Sequence, residues 1–332
     1  MLPAPPTPIL VTGATGFLGG HLVEALRTRG VIPRCLVRPS SDTRWLEGQR
    51  VEVHRASLTA PSPELHAALA GVRCVIHVAG AVRALDYASF LAANAEATAV
   101  LADACLAQRA PPERFVLVSS VGATGPTPRG ERLTAAHAPG ERTDYGRSKW
   151  EGELRMRARA DRLHTVIVRP TAIYGPRDRE LLPVLRLARA GWLPAFSGPD
   201  QTYDLAHVAD IVEGIIAAAQ APAASGETFL LGSGEEHSAT DLAGLLSGVF
   251  GRPVRLLPLP RALLWSAALG SEAWAALTRR PAMLTRQKIP ELCGSWALDI
   301  APARERLGYT PRRRLAEGLA ETVTWCRAQG LL

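Results

Sequence analysis

The sequence predicts an α/β fold built on a doubly wound parallel sheet, followed by a smaller C-terminal lobe. Short apolar runs alternate with longer helical patterns through the first two-thirds of the 332 residues. Strands of four to six mostly β-branched residues that are separated by helical periods form βαβ units, and hence a parallel sheet. After about Gly175 prolines interrupt the helical pattern. We therefore predict a main domain over residues 1–175 and a lobe over residues 176–332 that is interleaved with it.

The elements of the predicted sheet follow one another in order. Helical patterns separate the apolar segments, at HLVEALRTRG, at ELHAALAG and in the alanine-rich stretch from Phe90 to Arg109. Beyond residue 175, strand-like segments appear only at TFLLG and VRLLPL, and some of the later chain is expected to return to the main sheet. The six strands of the main domain are predicted in the segments PILVTG (8–13), PRCLVRPSS (33–41), VEVHRAS (51–57), CVIHVAG (74–80), FVLVSS (115–120) and TVIVRP (165–170).

Composition and charge narrow the class of protein. Hydrophobic residues make up 47% and charged residues 21%, which is typical of a globular protein and excludes general disorder. The five scattered cysteines contain no CxxC, so neither a disulfide framework nor a metal site is expected. The N-terminus has no basic region before an apolar run, and a cytoplasmic location is predicted. The net charge of +7 indicates anionic partners such as nucleotide phosphates or a membrane surface, and because the basic residues are dispersed no nucleic-acid partner is expected.

A glycine turn lies between the first strand and the first helix. The chain reads TGATGFLG at 12–19, directly after the apolar ILV and before a helix predicted to start near Gly20. Glycines at 13, 16 and 19 permit a tight turn, so that pyrophosphate can lie against the amides at the helix N-terminus. Because strand, turn and helix occur in this order, the segment predicts a dinucleotide site.

The end of the second strand bears on which dinucleotide binds. An acidic residue there would bind the ribose 2′-hydroxyl of NAD(H), whereas this chain has Arg38, Ser40 and Ser41. A cation and hydroxyls suit a 2′-phosphate. NADP(H) is therefore favoured over NAD(H), although Arg38 on a solvated surface would look the same in the sequence.

The segment DYGRSK at 144–149 places a tyrosine and a lysine four residues apart. On a helix, Tyr145 and Lys149 would project from one face. Such a pair can be ordinary packing. It can also be a proton donor beside an ammonium that lowers the phenol pKa toward the working range of an acid/base catalyst.

Taken together, these motifs resemble the extended short-chain dehydrogenase/reductase family, which includes nucleotide-sugar epimerases and dehydratases, 3β-hydroxysteroid dehydrogenases and dihydroflavonol reductases. The resemblance spans nearly the whole chain, and further motifs are HVAG at 77–80, LVSSVGATG at 117–125, RPTAIYGP at 169–176 and DLAHVADIVEGI at 204–215. It implies a Rossmann fold whose C-terminal lobe binds substrate. It also implies a catalytic set of Ser120, Tyr145 and Lys149, with Ser119 as the nearby alternative to Ser120.

The resemblance further assigns the cofactor site. Asn94 would brace its centre, or be simply a hydrogen-bonded buried asparagine, and Ser57 stands where many members have an aspartate that contacts adenine. Lys149 would bind the nicotinamide ribose, with Tyr145 beside it. The residues implied in cofactor binding are Gly13, Thr15, Gly16, Phe17, Leu18, Gly19, Arg38, Ser41, Ser57, Leu58, Val78, Ala79, Gly80, Asn94, Tyr145, Lys149, Pro170, Thr171 and Ile173.

The substrate is predicted to be hydrophobic. Tyr203 stands where sugar-nucleotide members carry an arginine that binds pyrophosphate, and a tyrosine lacks that charged fork. Residues 257–284 are rich in Leu, Ala and Trp, and are interpreted as a pair of core helices, a lid over an apolar substrate, or a surface that contacts a membrane. We expect an NADP(H)-dependent ketone reductase or alcohol dehydrogenase, with a sugar epimerase/dehydratase and a silent NADP-binding protein as alternatives. The family also implies a homodimer formed through the tyrosine helix.

Overall fold

A computed structural model describes residues 5–140, 142–198, 201–222, 225–282 and 284–332. The strands are β1 Ile9–Thr12, β2 Arg34–Val37, β3 Glu52–Arg55, β4 Cys74–His77, β5 Arg114–Val118, β6 Arg132–Leu133, β7 Thr165–Pro170, β8 Ala172–Tyr174, β9 Trp192–Ala195, β10 Thr202–Tyr203, β11 Leu205–His207, β12 Glu227–Leu231, β13 His237–Ser238, β14 Arg255–Pro258 and β15 Ala297–Leu298. The α-helices are α1 Phe17–Thr28, α2 Pro63–Leu69, α3 Tyr87–Leu91, α4 Ala97–Leu106, α5 Asp144–Arg157, α6 Leu182–Arg189, α7 Val208–Gln220, α8 Ala239–Phe250, α9 Arg261–Thr278, α10 Lys288–Cys293, α11 Ala301–Leu307 and α12 Leu315–Ala328.

Seven parallel strands form the central sheet in the order β12-β7-β5-β4-β1-β2-β3. The six strands predicted for the main domain are all present, which confirms the doubly wound fold. The seventh, β12, comes from the C-terminal half and pairs with β7, as expected for a later segment that returns to the sheet. The order reverses at β1 and β4, and the carboxyl ends of these strands form the crevice where α/β sheets bind ligands.

Helices cover both faces of this sheet. One apolar core lies under α1, α7 and α11, and includes Leu22, Ile215 and Leu307. The other lies under α2, α4 and α5, and includes Leu65 and Leu101. Burial on both sides explains why the strands are continuous apolar runs without alternation.

The lobe has its own smaller core between α6, α8 and α12. The expectation that only two strand-like segments follow residue 175 was wrong, because β9, β10, β11, β13 and β15 also lie there. These strands are two to four residues long, which is too short to leave a detectable sequence period. VRLLPL does form a strand, β14, but it pairs with β9 outside the main sheet.

Residues 257–284, of which residue 283 lies outside the described residues, do not form a pair of core helices. A single helix, α9, occupies most of the segment, and only its Leu264 and Ala268 are buried. They join Ile289 in a small satellite core. Within the described ranges, no helix has the length and apolar character needed to cross a bilayer.

Candidate active site

The glycine turn packs directly against the end of β4. Gly13 has φ of 71°, and the Gly16 amide donates to the Gly13 carbonyl over 2.9 Å. A methyl group on Gly13 would lie 2.8 Å from the Ala79 nitrogen, and one on Gly19 would lie 2.0 Å from the Gly13 oxygen. Both positions therefore require glycine. α1 begins at Phe17 with no side-chain cap at Gly16, so its first amides face the turn without a side-chain acceptor, which fits a bound pyrophosphate.

A chain of buried polar groups holds this turn to the neighbouring strands. The Thr12 hydroxyl bonds to His77 Nδ1 at 2.7 Å and accepts from the Ala79 amide at 3.1 Å. His77 Nε2 bonds to the Thr98 hydroxyl at 3.0 Å, and Thr98 donates to the Asn94 carbonyl at 2.7 Å. Burial, reinforced by the Lys149 charge, lowers the pKa of His77 to about 3, so the imidazole stays neutral at physiological pH. The roles of His77 and Thr98 were not predicted from the sequence, although His77 begins the motif HVAG.

Asn94 braces the loop after β4. Its Oδ1 accepts from the Ala81 amide at 2.7 Å, and its Nδ2 donates to the Ala81 carbonyl at 3.0 Å and to the Ser148 hydroxyl at 2.9 Å. It lies in a π-helical turn, Ala92–Glu96, between α3 and α4. A methyl group on Gly80 would come within 2.7 Å of Asn94 Oδ1 and 3.6 Å of Lys149 Nζ. Asn94 thus ties the β4 loop to α5, the helix of Tyr145 and Lys149.

Tyr145 lies in the first turn of α5 and meets Ser120 at the end of β5. Thr143 caps this helix by accepting from the Gly146 amide at 3.2 Å. The Ser120 hydroxyl accepts from the Gly122 amide at 3.1 Å and hydrogen-bonds to Tyr145. Burial raises the pKa of Tyr145, and the hydrogen bond with Ser120 opposes that rise. The expected lowering of the Tyr145 pKa by Lys149 was therefore wrong: burial raises this pKa, and the opposing effect comes from Ser120.

Lys149 lies below the tyrosine on the same face of α5, as the spacing predicted. Its ammonium is buried and donates to the Val118 carbonyl at 2.7 Å. Burial lowers the pKa of Lys149 to about 8, against the Glu153 carboxylate, which raises it. The lysine is thus held at the floor of the site by β5.

The structure separates the two candidate serines. Ser119 is buried and donates to Glu153 Oε1 at 2.6 Å. Glu153 in turn forms a bidentate ion pair with Arg169, with bonds of 2.8 and 2.7 Å, and both side chains are buried. Ser119 is therefore part of the packing beneath α5, and Ser120 is the serine beside Tyr145.

The residues expected at the adenosine end lie apart from this cluster. Arg38 is exposed directly after β2, and makes no ion pair within the described ranges. Ser41 closes a turn through its amide to the Arg38 carbonyl at 3.0 Å. The Ser57 hydroxyl bonds to Thr59 at 2.9 Å, and Leu58 packs against the core. Contact of these residues with a cofactor stays a prediction.

Pro170 is the last residue of β7, and Thr171 and Ile173 follow it. The Thr171 hydroxyl donates to the Asp204 carbonyl at 2.7 Å, and Ile173 pairs with Ala206 between β8 and β11. The Asp204 carboxylate accepts from the Ser233 and Gly234 amides at the end of β12. Burial raises its pKa to about 6 despite these bonds. Asp204, which sequence analysis quoted only within a motif, thus fixes the loop beside the expected nicotinamide end.

A cavity of about 440 Å³ opens in front of Tyr145. The loop from Val82 to Asp86 and Phe90 form one side, and α9 with the residues that follow it forms the other. Ala275, Ala276 and Ala282 give that second side an apolar surface. The lid interpretation of 257–284 therefore has a structural counterpart, since α9 lines the cavity. The charged residues of the lining are Arg83, Asp86, Asp144, Glu272, Arg279, Arg280 and Lys288.

Fold and site define a dinucleotide-dependent enzyme, and comparison with known proteins agrees. Residues 9–232 match the model of the NAD dependent epimerase/dehydratase family, and the chain belongs to that family. This confirms the resemblance drawn from the motifs. The chain is accordingly an NAD(P)-dependent enzyme of oxidoreductase chemistry.

The names of proteins similar to this chain refer to different small molecules. A ceramide reductase of Caulobacter vibrioides (strain NA1000 / CB15N) is 33% identical over 98% of this chain and 96% of its own. A 2-alkyl-3-oxoalkanoate reductase of Stenotrophomonas maltophilia (strain K279a) is 31% identical over 94% and 97%. The solved structure of MoeE5 in complex with UDP-glucose and NAD superposes with a TM-score of 0.74 at 25% identity, covering 97% of this chain and 99% of that one.

Proposed function

We propose that the chain is an NADP(H)-dependent oxidoreductase that reduces a ketone, or oxidises a secondary alcohol, on a lipid-like, steroid-like or polycyclic substrate. The observation that carries this proposal is the cavity in front of Tyr145, which has apolar side chains on both sides. Val82, Leu85 and Phe90 lie on one side, and Ala275, Ala276 and Ala282 lie on the other. An apolar surface beside a proton donor suits a hydrophobic ketone. The ceramide and oxoalkanoate names of two relatives support the same substrate class.

The roles follow from the positions of the three side chains. Ser120 holds the substrate oxygen, and Tyr145 gives a proton to it during reduction or takes one from it during oxidation. NADP(H), when bound along the glycine turn, supplies or accepts the hydride. Lys149, held on the Val118 carbonyl, would meet the nicotinamide ribose and keep positive charge beneath the phenol. Since burial raises the Tyr145 pKa, the phenol is protonated at neutral pH and is ready to act as the acid in reduction.

A panel of ketones tests the reaction. NADPH oxidation would be followed with long-chain β-keto esters, steroid ketones and nucleotide sugars, using wild type and Tyr145→Phe. We expect turnover of the hydrophobic ketones, and a loss of about 10²–10⁴-fold in kcat for Tyr145→Phe. Tyr87→Phe is the control, because Tyr87 stacks on Arg147 at the start of α3. Turnover of the nucleotide sugars alone would overturn the proposal.

The preference for NADP(H) rests on Arg38, an exposed guanidinium directly after β2 that forms no ion pair with any residue the structure describes. A ribose 2′-phosphate is the anion expected at that place in this fold. Arg38→Ala is therefore expected to raise the KM for NADPH and leave the KM for NADH nearly unchanged. Arg50→Ala, a change at another exposed arginine before β3, should affect neither constant. Equal KM values for both cofactors in wild type would refute the preference.

A nucleotide-sugar epimerase or dehydratase is the second candidate. It is favoured by the four cations of the cavity lining, Arg83, Arg279, Arg280 and Lys288, since a pyrophosphate needs cationic partners. Against it stands Tyr203 at the position where sugar-nucleotide members have arginine. The substrate panel decides between the two. A silent NADP-binding protein would bind NADPH tightly and show no Tyr145-dependent turnover on any substrate.

Two interactions complete the proposal. We propose a homodimer formed through α5, whose exposed Leu154 supplies an apolar contact point, and peripheral membrane contact through residues 257–284. Light scattering on wild type and Leu154→Glu tests the dimer. A monomeric wild type would refute it.

A further inference from the structure

Helix α9 presents an unusual surface for a globular protein. Eighteen residues long, it carries a single charged residue between Arg261 and its end, Glu272. Its large apolar side chains point outward, whereas the buried Leu264 and Ala268 fix the opposite side to the protein. Large exposed apolar patches on a folded chain mark interaction surfaces. The outward side chains are Leu263, Trp265, Leu269, Trp274 and Leu277, which are 46 to 78% exposed.

Exposed apolar residues also occur on the other side of the cavity. Val82 and Leu85, in the loop after β4, are 58% and 61% exposed. Leu85 and Val82 line the cavity from their side, and Ala275 and Ala276, next to the outward Trp274 and Leu277, line it from theirs. The opening in front of Tyr145 is therefore bordered by protruding apolar side chains on both sides.

The unpaired charges at the two ends of α9 are positive, whereas on the loop side of the cavity Asp86 is a carboxylate that caps α3. Arg261 begins α9, and Arg279 and Arg280 follow its end. None of the three makes an ion pair within the described ranges, and all three are exposed. The Glu272 carboxylate is bound by the Arg286 side chain and amide, each at 2.8 Å. An apolar strip with free arginines at both ends matches the boundary between acyl chains and anionic headgroups.

We propose that α9 and the Val82–Leu85 loop dock on an anionic lipid bilayer, so that the cavity opens against the membrane and receives its substrate from it. The apolar side chains enter the interface, and the arginines lie at headgroup level, where tryptophan is also favoured. This inference rests on the proposed function, since a membrane-dissolved substrate requires such an entrance. A second copy of the chain fits this surface less well, because an isologous contact would bring equivalent clusters of cations together.

The test is sedimentation of the full chain with vesicles of phosphatidylcholine alone or with phosphatidylglycerol at 30 mole per cent. We expect wild type to bind the anionic vesicles and to bind the neutral ones weakly. The Leu269→Glu/Leu277→Glu variant should need about tenfold more lipid or more, because it loses apolar area and meets like charge. Arg279→Gln/Arg280→Gln should lose the preference for anionic lipid. Leu187→Glu, a change at an exposed leucine of α6, should bind as wild type does.

Two further measurements distinguish a failure of membrane docking from a failure of the proposed reaction. Circular dichroism is measured for each variant and should match wild type. Turnover of a short, water-soluble ketone is measured for Leu269→Glu/Leu277→Glu and for Leu187→Glu, and should also match wild type. Lack of turnover with intact vesicle binding would leave docking standing and remove the proposed reaction. Wild type that stays in the supernatant with anionic vesicles overturns the docking surface. The docking surface is also overturned if Leu269→Glu/Leu277→Glu binds anionic vesicles as tightly as wild type. It is likewise overturned if wild type does not bind vesicles and that variant changes from a dimer to a monomer, because the surface would then be a contact between copies of the chain.

Discussion

The crevice at the ends of β1 and β4 and the helix α9, which lines the cavity in front of Tyr145, are built in opposite ways. At the crevice, polar groups are buried and bonded in series from Thr12 to Ser148, and glycines allow contacts closer than any side chain permits. α9 buries two residues and leaves its Gly270 with no neighbour within 4 Å of an added methyl group. The reaction machinery is thus fixed by many mutual constraints, while the substrate side is held by few.

This difference indicates where the chain can change. A site that must hold three side chains at fixed distances from a reacting atom tolerates little movement. A helix attached by a small core can change its outer face, and hence the substrate, without disturbing the reaction. Relatives with the same fold and different substrate names are consistent with this division.

The largest difference in stability is expected when a buried ion pair beneath α5 and an exposed ion pair on α9 are each broken. Glu153→Gln leaves Arg169 buried without its charge partner, and should lower the free energy of unfolding by about 3–5 kcal/mol. Glu272→Gln in α9 breaks the more exposed pair with Arg286, and should cost about 1 kcal/mol or less. Urea denaturation measures both. Similar losses for the two variants would remove the contrast in rigidity.

A second contrast compares the pH dependence of stability due to the buried Lys149 with that due to the exposed Arg280. Because burial lowers the pKa of folded Lys149 to about 8 from 10.5, the unfolded chain holds its proton more tightly between these values. Stability should therefore rise with pH across this window, by about 3 kcal/mol from this group. The difference between wild type and Lys149→Met, measured by denaturation from pH 7 to 10.5, isolates the contribution. Arg280→Met should keep the wild-type slope, and a difference between wild type and Lys149→Met that does not change from pH 8 to 10.5 would contradict the buried charge.

A third contrast compares the substitution of glycine by alanine at two positions, each with a smaller effect on stability. Gly19→Ala forces its methyl group against the Gly13 carbonyl, and should destabilise the chain by roughly 1–3 kcal/mol and weaken NADPH binding. Gly270→Ala places the same methyl group in open space within α9, and should stabilise the chain by roughly 0.5–1 kcal/mol. Thermal unfolding with and without NADPH measures both. The comparison fails if the two variants change stability in the same direction.

The crevice was largely predictable from sequence because its signals are local. The glycine turn, the six strands and the spacing of Tyr145 and Lys149 each lie within a few neighbouring residues. The brace around Asn94 was predicted only in outline, since its π-helical turn and its bonds to Ala81 and Ser148 depend on packing between distant segments. The raised pKa of Tyr145 was missed for a related reason: burial sums over many residues, whereas the sequence displayed only the nearby lysine.

The substrate side was harder to predict. An almost entirely apolar helix has no polar stripe to show which face is buried, so α9 was compatible with a core helix, a lid or a membrane contact. Its exposure depends on how few neighbours the fold gives it. The two-residue strands of the lobe were missed because they have no period of their own.

The placement of β12 has a consequence for synthesis of the protein. Its residues, Glu227–Leu231, emerge from the ribosome well after β7, the buried strand with which they pair. Until then the nascent sheet ends in an apolar edge with unpaired amides and carbonyls, a state that invites association with other chains. A truncated protein ending at residue 175 would keep that bare edge permanently, and should be recovered as aggregate and not as an isolated nucleotide-binding module.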